Sequence, residues 1–560
     1  MDKNSIINMT YTIGLDYGSL SCRGILVSTA DGTIAAEDEF VYPHAVIDHH
    51  LPDGTPLPPQ WALQDPDDFR QALHHIIPNL LKASQVNPSQ VIAIGIDSTA
   101  STVIPVSEGL VPLCEQPSFR NRPHAWPKMW KHHAAVAEAA EITTAAVAQK
   151  LPIVVKSGGA IGCESLMPKV LQVFHEDAEI FQNAVSFFEL CDWIVSLLAG
   201  CEVRSMPLLT CKSMWTPQNG YPKGQPFDAI TPKLAFHDGV HPVIAAPGEA
   251  VGTLHPSMAK ALGLSETTVI TAGQMDGYAA LPGVGIADEG TLMMMIGTST
   301  ADMVLDHEWK DIPGICAAME DANLPGFTNY AAGQACVGDM FNWFIDNCVP
   351  EKYTQEARRR NMSIHGFLSE LAATSKPGDT GLVALDWWNG NKSCLNDSRL
   401  SGLIVGMTLA TRPEHIYRAL IEATAFGARK IIENFREHGI SVHDIVACGG
   451  IALKNPFLMQ IYANVLGMDI KTTTCTQTAA LGAAIFAAAA DGRRSGHPDV
   501  FSAIRAMDCK QTITYRPNIE NISSYINIYR EYLTLHDFFG LSRQSPMHFL
   551  DHLRKHTDIQ

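Results

Sequence analysis

Residues 271–299, TAGQMDGYAALPGVGIADEGTLMMMIGTS, constrain this chain more than any other stretch. An apolar run at Val269 and Ile270 leads into a single carboxylate, Asp276. A small-residue helix follows, then a strand from Leu292 to Ile296 that ends in Gly297-Thr298-Ser299. One short segment therefore carries a candidate base and a candidate phosphate loop. The chain opens on the same pattern: strand Thr12 to Asp16, loop Tyr17-Gly18-Ser19-Leu20-Ser21-Cys22-Arg23, strand Gly24 to Ser28. This repeat of apolar strand, glycine with small hydroxyls and apolar strand points to a duplicated ATPase-type α/β fold. Its two hairpins would face one nucleotide.

Composition narrows the partners. A chain of 560 residues has room for three or four domains, or for two large lobes with insertions. Asp plus Glu outnumber Lys plus Arg by 58 to 40, a net charge of −18, and no run of five like charges occurs. Nucleic acid and anionic membrane surfaces need clustered cations, so both are excluded as expected partners. The 13 cysteines form no CxxC pair and read as reduced thiols of a cytoplasmic protein. The first residues, MDKNSIINMTY, hold no apolar signal segment. Ala479 to Ala490, the longest apolar stretch, falls short of the ~18 residues a membrane span needs and reads as a closely packed helix.

Along the chain, 12–43 reads as three strands with a turn at Ala30-Asp31-Gly32. Pro66 to Lys82 reads as a helix with Phe69, Leu73, Ile76 and Ile77 on one face. Val91 to Ile96 is a buried-type strand ending in Asp97-Ser98-Thr99-Ala100, at the strand end where open α/β sheets bind ligands. Phe187 to Leu198 reads as a helix carrying Asp192, and Ile416 to His438 as a helix ended by Gly439. Ile445 to Cys448 is a strand followed by Gly449-Gly450. Asn455-Pro456 then starts a helix, with Asn as N-cap and Pro as first residue.

The chemistry-bearing residues follow from this layout. Asp16 at a strand end suits Mg²⁺ held through water. Ser19, Ser21 and the loop N–H groups suit phosphate, and Arg23 suits its charge. Gly297, Thr298 and Ser299 repeat that logic; either loop could also be an ordinary hairpin. Gly449 and Gly450 let backbone approach a base or ribose, or simply join strand to helix. Asp276 is costly to bury without a partner or a task, and reads as a general base or as the N-cap of the helix after it. The adjacent pairs His49-His50, His74-His75 and His132-His133 lack zinc spacing and read as surface. Met293-Met294-Met295 reads as core strand.

Together the pieces resemble the FGGY carbohydrate kinase family, and within it the ribulokinase-like branch, from about residue 12 to 540. The resemblance rests on GLDYGSLSCRG, GIDSTAST, RPHAWPKMWKHH, ELCDWIVSLLAG, TCKSMW, AGQMDG, MIGTSTADMVL, AAGQACVGD, DWWNGNKSCLNDSRLSGLIVGMTL and CGGIALKNPFLMQIYANVLG. It implies two ribonuclease-H-like lobes of the actin/hexokinase ATPase type flanking a catalytic cleft. The expected division is 1–270 for sugar, 271–500 for ATP and 501–560 as a helical appendage.

The resemblance further implies Asp276 as catalytic base, with Asp16 and Asp276 holding Mg²⁺ through water. Asp16, Ser19, Ser21, Arg23, Gly297, Thr298 and Ser299 would face the phosphates, and Gly449, Gly450 and Asn455 the adenosine. Ala100 (by its backbone), Trp126, Lys212 and Asp276 would contact sugar. The implied cofactors are ATP and Mg²⁺, the partner a small sugar or polyol; a homodimer stays open.

The chain departs from the family in two places. Ala331 stands where ribulokinases have Glu, which removes an acceptor for sugar hydroxyls at a cost of ~1–3 kcal/mol. The first hairpin reads DYGSLSCR where Thr-Glu or Thr-Asp after Gly18, and Gly after the Ser, are expected. The expected activity is phosphorylation of the terminal hydroxyl of a ketopentose, L-ribulose first. Another ketopentose or a pentitol is the alternative within the class. A catalytically silent ATP/sugar sensor and a chaperone-type ATPase are the alternatives outside it.

Overall fold

The computed structural model of the protein describes residues 9–234, 242–542 and 545–557. The chain divides into two compact units. The first comprises 1–287, 319–327 and 477–509; the second comprises 288–318, 328–476 and 510–560.

The first unit is built on strands β1 (Tyr11–Tyr17), β2 (Ser21–Ser28), β3 (Ile34–Val41), β4 (Val91–Ser98), β5 (Ala250–Thr253), β6 (Val269–Thr271) and β7 (Gln274–Met275). Their order is β3-β2-β1-β4-β6-β5, with β7 also pairing β4. The first three strands form an antiparallel meander; β4 then runs parallel to β1, and β6 parallel to β4. Every residue of β4 is buried, as a parallel strand covered on both faces requires.

Helix Thr478–Ala490 covers β1 and β4. Its alanines are there for closeness. A Cβ on Gly14 would lie 1.8 Å from the Ala480 carbonyl oxygen, and one on Gly95 would lie 1.9 Å from that of Ala483. Helix Asp276–Gly283 packs on the same helix just as closely: a Cβ on Gly482 would lie 1.7 Å from the Ala279 oxygen.

The second unit repeats the plan with β8 (Gly290–Ile296), β9 (Thr300–Asp306), β10 (Ala317–Glu320), β11 (Thr328–Ala332), β12 (Val442–Cys448), β13 (Ile470–Thr473) and β14 (Thr512–Tyr515). The order is β10-β11-β9-β8-β12-β13-β14. The path β11-β9-β8-β12-β13 matches β3-β2-β1-β4-β6 in order and in strand direction. This is the duplication that the two hairpins announced.

Several boundaries differ from the sequence reading. Residues 271–287 belong with the first unit, because β7 pairs β4 and the following helix packs under the same sheet. The Ala-rich helix, expected in the second lobe, is the floor of the first. Residues past 509 are no appendage: β14 extends the second sheet, and Tyr525, Tyr529 and Tyr532 of helix Ile519–Gly540 are buried in that unit's core.

Phe187 and Phe188 lie in a strand, Ser186–Glu189, paired with Val103–Val106; the helix begins only at Leu190. The aromatic pair favours the extended chain where a partner strand is at hand. Helix Pro66–Ser84 is capped by Asp65, and Asn455 caps helix Pro456–Leu466 with Pro456 at its first position, as expected. Helix Pro413–Glu437 ends before Gly439, whose φ is +84°. His132 is buried, its Nε2 within 2.9 Å of Gln172 Oε1, whereas the other five paired histidines are exposed. All thirteen cysteines are free. Among the described residues no helix is long and apolar enough to cross a membrane.

Candidate active site

The first unit gathers three carboxylates at the C-terminal ends of its central strands. Asp16 and Asp97 are register partners on β1 and β4. Asp276 is the first residue of its helix; the N-cap position belongs to Met275, which corrects the N-cap reading. The Asp276 carboxylate turns back on its own helix, where Oδ1 accepts the Gly277 N–H at 2.6 Å.

Electrostatics follow from this crowding. Burial, then repulsion from Asp16, pushes the Asp276 carboxyl up to about 7, while the Gly277 N–H and the charge of Lys212 pull it back. Burial raises Asp16 too, opposed by its neighbour Asp97 and by the charge of Arg23. Asp97 is fully buried and is raised furthest, first by burial, then by Asp16 and Asp276. Both Asp97 oxygens are buried with no hydrogen-bond partner among the described residues. Three buried carboxylates this close together repel one another, which favours the protonated forms.

The other expected ligands of the first unit are engaged with protein partners. Ser19 Oγ accepts the Trp130 indole N–H at 2.8 Å. Ser21 Oγ donates to Glu39 at 2.7 Å, and Arg23 pairs with the same carboxylate at 3.1 Å on the exposed side of the hairpin. To face a phosphate they would have to exchange these partners. Trp126 is 2% exposed, sits in the apolar core, and donates its N–H to the Arg120 carbonyl. Lys212 ends helix Met206–Lys212 within electrostatic reach of Asp276. Ala100 lies in the loop that follows β4.

In the second unit Gly297-Thr298-Ser299 makes the turn between β8 and β9, closed by Gly297 N–H to Ser299 O at 2.9 Å. Thr298 is exposed at its tip. The Thr298 carbonyl accepts the Val337 N–H at 2.7 Å, which anchors the turn on helix Gly338–Cys348. Gly449 sits against the end of β8 with φ +91°, and a Cβ there would lie 2.6 Å from the Ile296 oxygen. Gly450 beside it faces open space. The Asn455 side chain is spent on its helix cap, Oδ1 accepting the Leu458 N–H at 3.1 Å. Ala331 is a buried residue of β11, paired with Met303.

Sequence reasoning assigned no role to Asp97, Lys169 or Glu189. Asp97 had a signal, since it ends a strand as Asp16 does. Glu189 had only its place at the head of ELCDWIVSLLAG, and Lys169 had none: it is a charged residue among ordinary helical neighbours, which from sequence reads as surface.

A sheet order shared by two units, each with a glycine–hydroxyl turn after its first strand, defines the duplicated α/β architecture of actin/hexokinase-type ATPases. The profile of the FGGY family of carbohydrate kinases, C-terminal domain, matches residues 292–490. The chain is 42% identical over 548 residues to the ribulokinase of Shouchella clausii, covering 97% of this chain and 98% of that protein. It is 42% identical over 549 residues to the ribulokinase of Anoxybacillus flavithermus, with 97% of each covered. The ligand-bound xylulose kinase of Lactobacillus acidophilus superposes with a TM-score of 0.77 at 20% identity, over 96% of this chain and 99% of that one. The chain belongs to the FGGY family of carbohydrate kinases, and the two sequence relatives named are ribulokinases.

Proposed function

We propose that the protein transfers the γ-phosphoryl group of ATP to the terminal hydroxyl of a ketopentose, L-ribulose first, giving L-ribulose 5-phosphate and ADP. The observation that carries this reading is Asp276. Its carboxyl is pushed up to about 7 by burial and by Asp16, and its Oδ1 accepts its own helix's Gly277 N–H. A base poised near neutrality accepts a hydroxyl proton at working pH and returns it to solvent. Oδ1 is oriented by Gly277, so Oδ2 is the oxygen that receives the proton as the hydroxyl oxygen bonds to phosphorus. The full-length similarity to ribulokinases supports the choice of sugar.

Among the described residues no group of three or more His, Cys, Asp or Glu side chains forms a metal cage. That fits Mg²⁺, which takes one or two carboxylates and completes its shell with water and phosphate. Asp16, and Asp276 with it, would hold the ion through water, where it would offset the charge of the group in transfer. Gly449 and Gly450, where a Cβ is excluded or nothing stands near, would admit the nucleotide. Lys212 would donate to sugar hydroxyls, and the Ala100 backbone would complete their contacts.

The test is ADP release with Mg-ATP across the four ketopentoses and several pentitols, with Asp276→Asn alongside. Turnover on L-ribulose that vanishes in the variant is the expected result. Turnover only on another sugar would overturn the substrate and assign the Ala331 change to specificity. Binding of ATP without turnover on any acceptor would favour the sensor reading.

A further inference from the structure

The loop after β4 passes through Ser101, whose φ of +67° is a left-handed conformation that a β-carbon disfavours. Something must hold it there, and the structure shows what does. The Ser101 N–H donates to Glu189 Oε2 at 2.7 Å. The Ser101 carbonyl accepts from Lys169 Nζ at 2.6 Å. The same ammonium reaches the Met129 carbonyl at 2.8 Å, tying the loop to the 122–133 segment. Lys169 and Glu189 are 0% and 2% exposed, so both side chains are buried where they bind backbone groups. Burying two ions costs several kcal/mol each before they are repaid, and a neutral packing would be cheaper.

The position of this clamp gives it a task. Four residues before Ser101 stands Asp97, and both Ser101 Oγ and Thr99 Oγ1 are buried without a partner among the described residues. Among the same residues Glu189 Oε1 also has no hydrogen-bond partner. Lys212 acts electrostatically on Asp276 and also on Lys169 and Glu189. Thr102 continues the link to Gln64 at 3.5 Å, and Gln64 holds the Ser19 carbonyl at 3.0 Å.

We infer that Lys169 and Glu189 are positioning residues for sugar binding: by gripping the Ser101 backbone from both ends they hold residues 99–101 in the shape that receives the acceptor. The inference rests on the sugar-kinase reading above and adds two residues to it. Neither side chain need touch the sugar; each acts through the Ser101 backbone.

The experiment is steady-state ADP release for the wild-type chain, Glu189→Gln, Lys169→Met and Lys169→Arg, varying L-ribulose and ATP separately. Loss of a positioning contact of this kind is expected to raise the sugar KM about 10- to 100-fold, with the ATP KM within about 2-fold of wild type. Lys169→Arg, which keeps the charge and the donors, should recover part of the loss. A purely structural pair would lower thermal stability and shift both KM values together, or neither, and that result overturns the inference. Glu189→Gln is nearly isosteric and carries the test if Lys169→Met does not fold. A wild-type chain inactive on L-ribulose and on every other acceptor would instead overturn the function itself.

Discussion

At the scale of single residues, Asp276 holds two opposed roles. Its carboxyl is raised from an ordinary 3.8 to about 7, first by burial and then by Asp16. The folded state therefore keeps a proton that the unfolded chain releases. Stability contributed by this group falls as pH rises from about 4 to about 7, and the cost is fully present above that range. The proposed base role needs the opposite state, the anion. In the free enzyme kcat/KM is expected to rise with pH through about 7, seen in a pH–rate profile. Asp276→Asn should lose about 10²–10⁴ in kcat while its melting temperature at pH 8 rises, since a repelled anion is removed. A variant with unchanged turnover would remove Asp276 from the base role. Asp276 and Asp16 were legible because each is a lone carboxylate closing an apolar run. The pairing of Asp16 with Asp97 was not, because strand register is a long-range property: β1 and β4 are joined by the intervening β2, β3 and a helix.

Among elements, the close approaches carry the predictions. Helix Thr478–Ala490 can lie on β1 and β4 only because Gly14 and Gly95 lack a side chain. Gly95→Ala would put a methyl 1.9 Å from a helix carbonyl, so the helix must move. Denaturant unfolding is expected to show a loss of about 3 kcal/mol or more. A loss under about 1 kcal/mol would mean that the contact is loose. Gly449→Ala combines strain at φ +91° with a 2.6 Å contact to Ile296 O. It should cost about 1–3 kcal/mol of stability and raise the KM for ATP more than that for sugar. The Ala-rich run was legible as a tightly packed helix. Which sheet it covers was not, because alanines and glycines record closeness without naming the partner.

For the whole molecule, the prediction concerns the coupling of ATP use to an acceptor. A kinase of this family should hydrolyse ATP slowly alone and accelerate by about 10²-fold or more with its sugar, measured as ADP release. Equal rates with and without sugar would point to an ATPase that needs no small acceptor. The duplicated plan was legible from two hairpin patterns, and the family from motifs spread over nearly the whole chain. Both are local records: a strand, a glycine and a hydroxyl are read within a few residues. The membership of 477–509 in the first unit, the incorporation of 510–557 into the second, and the Lys169–Ser101–Glu189 clamp were decided by the tertiary structure. In each case the deciding contact joins residues far apart in sequence, and the side chains involved look ordinary beside their own neighbours. The sequence alone determined what chemistry the chain carries. Packing decided which charges are buried and what each of them holds, because the cost of a buried charge exists only once the fold has removed its water.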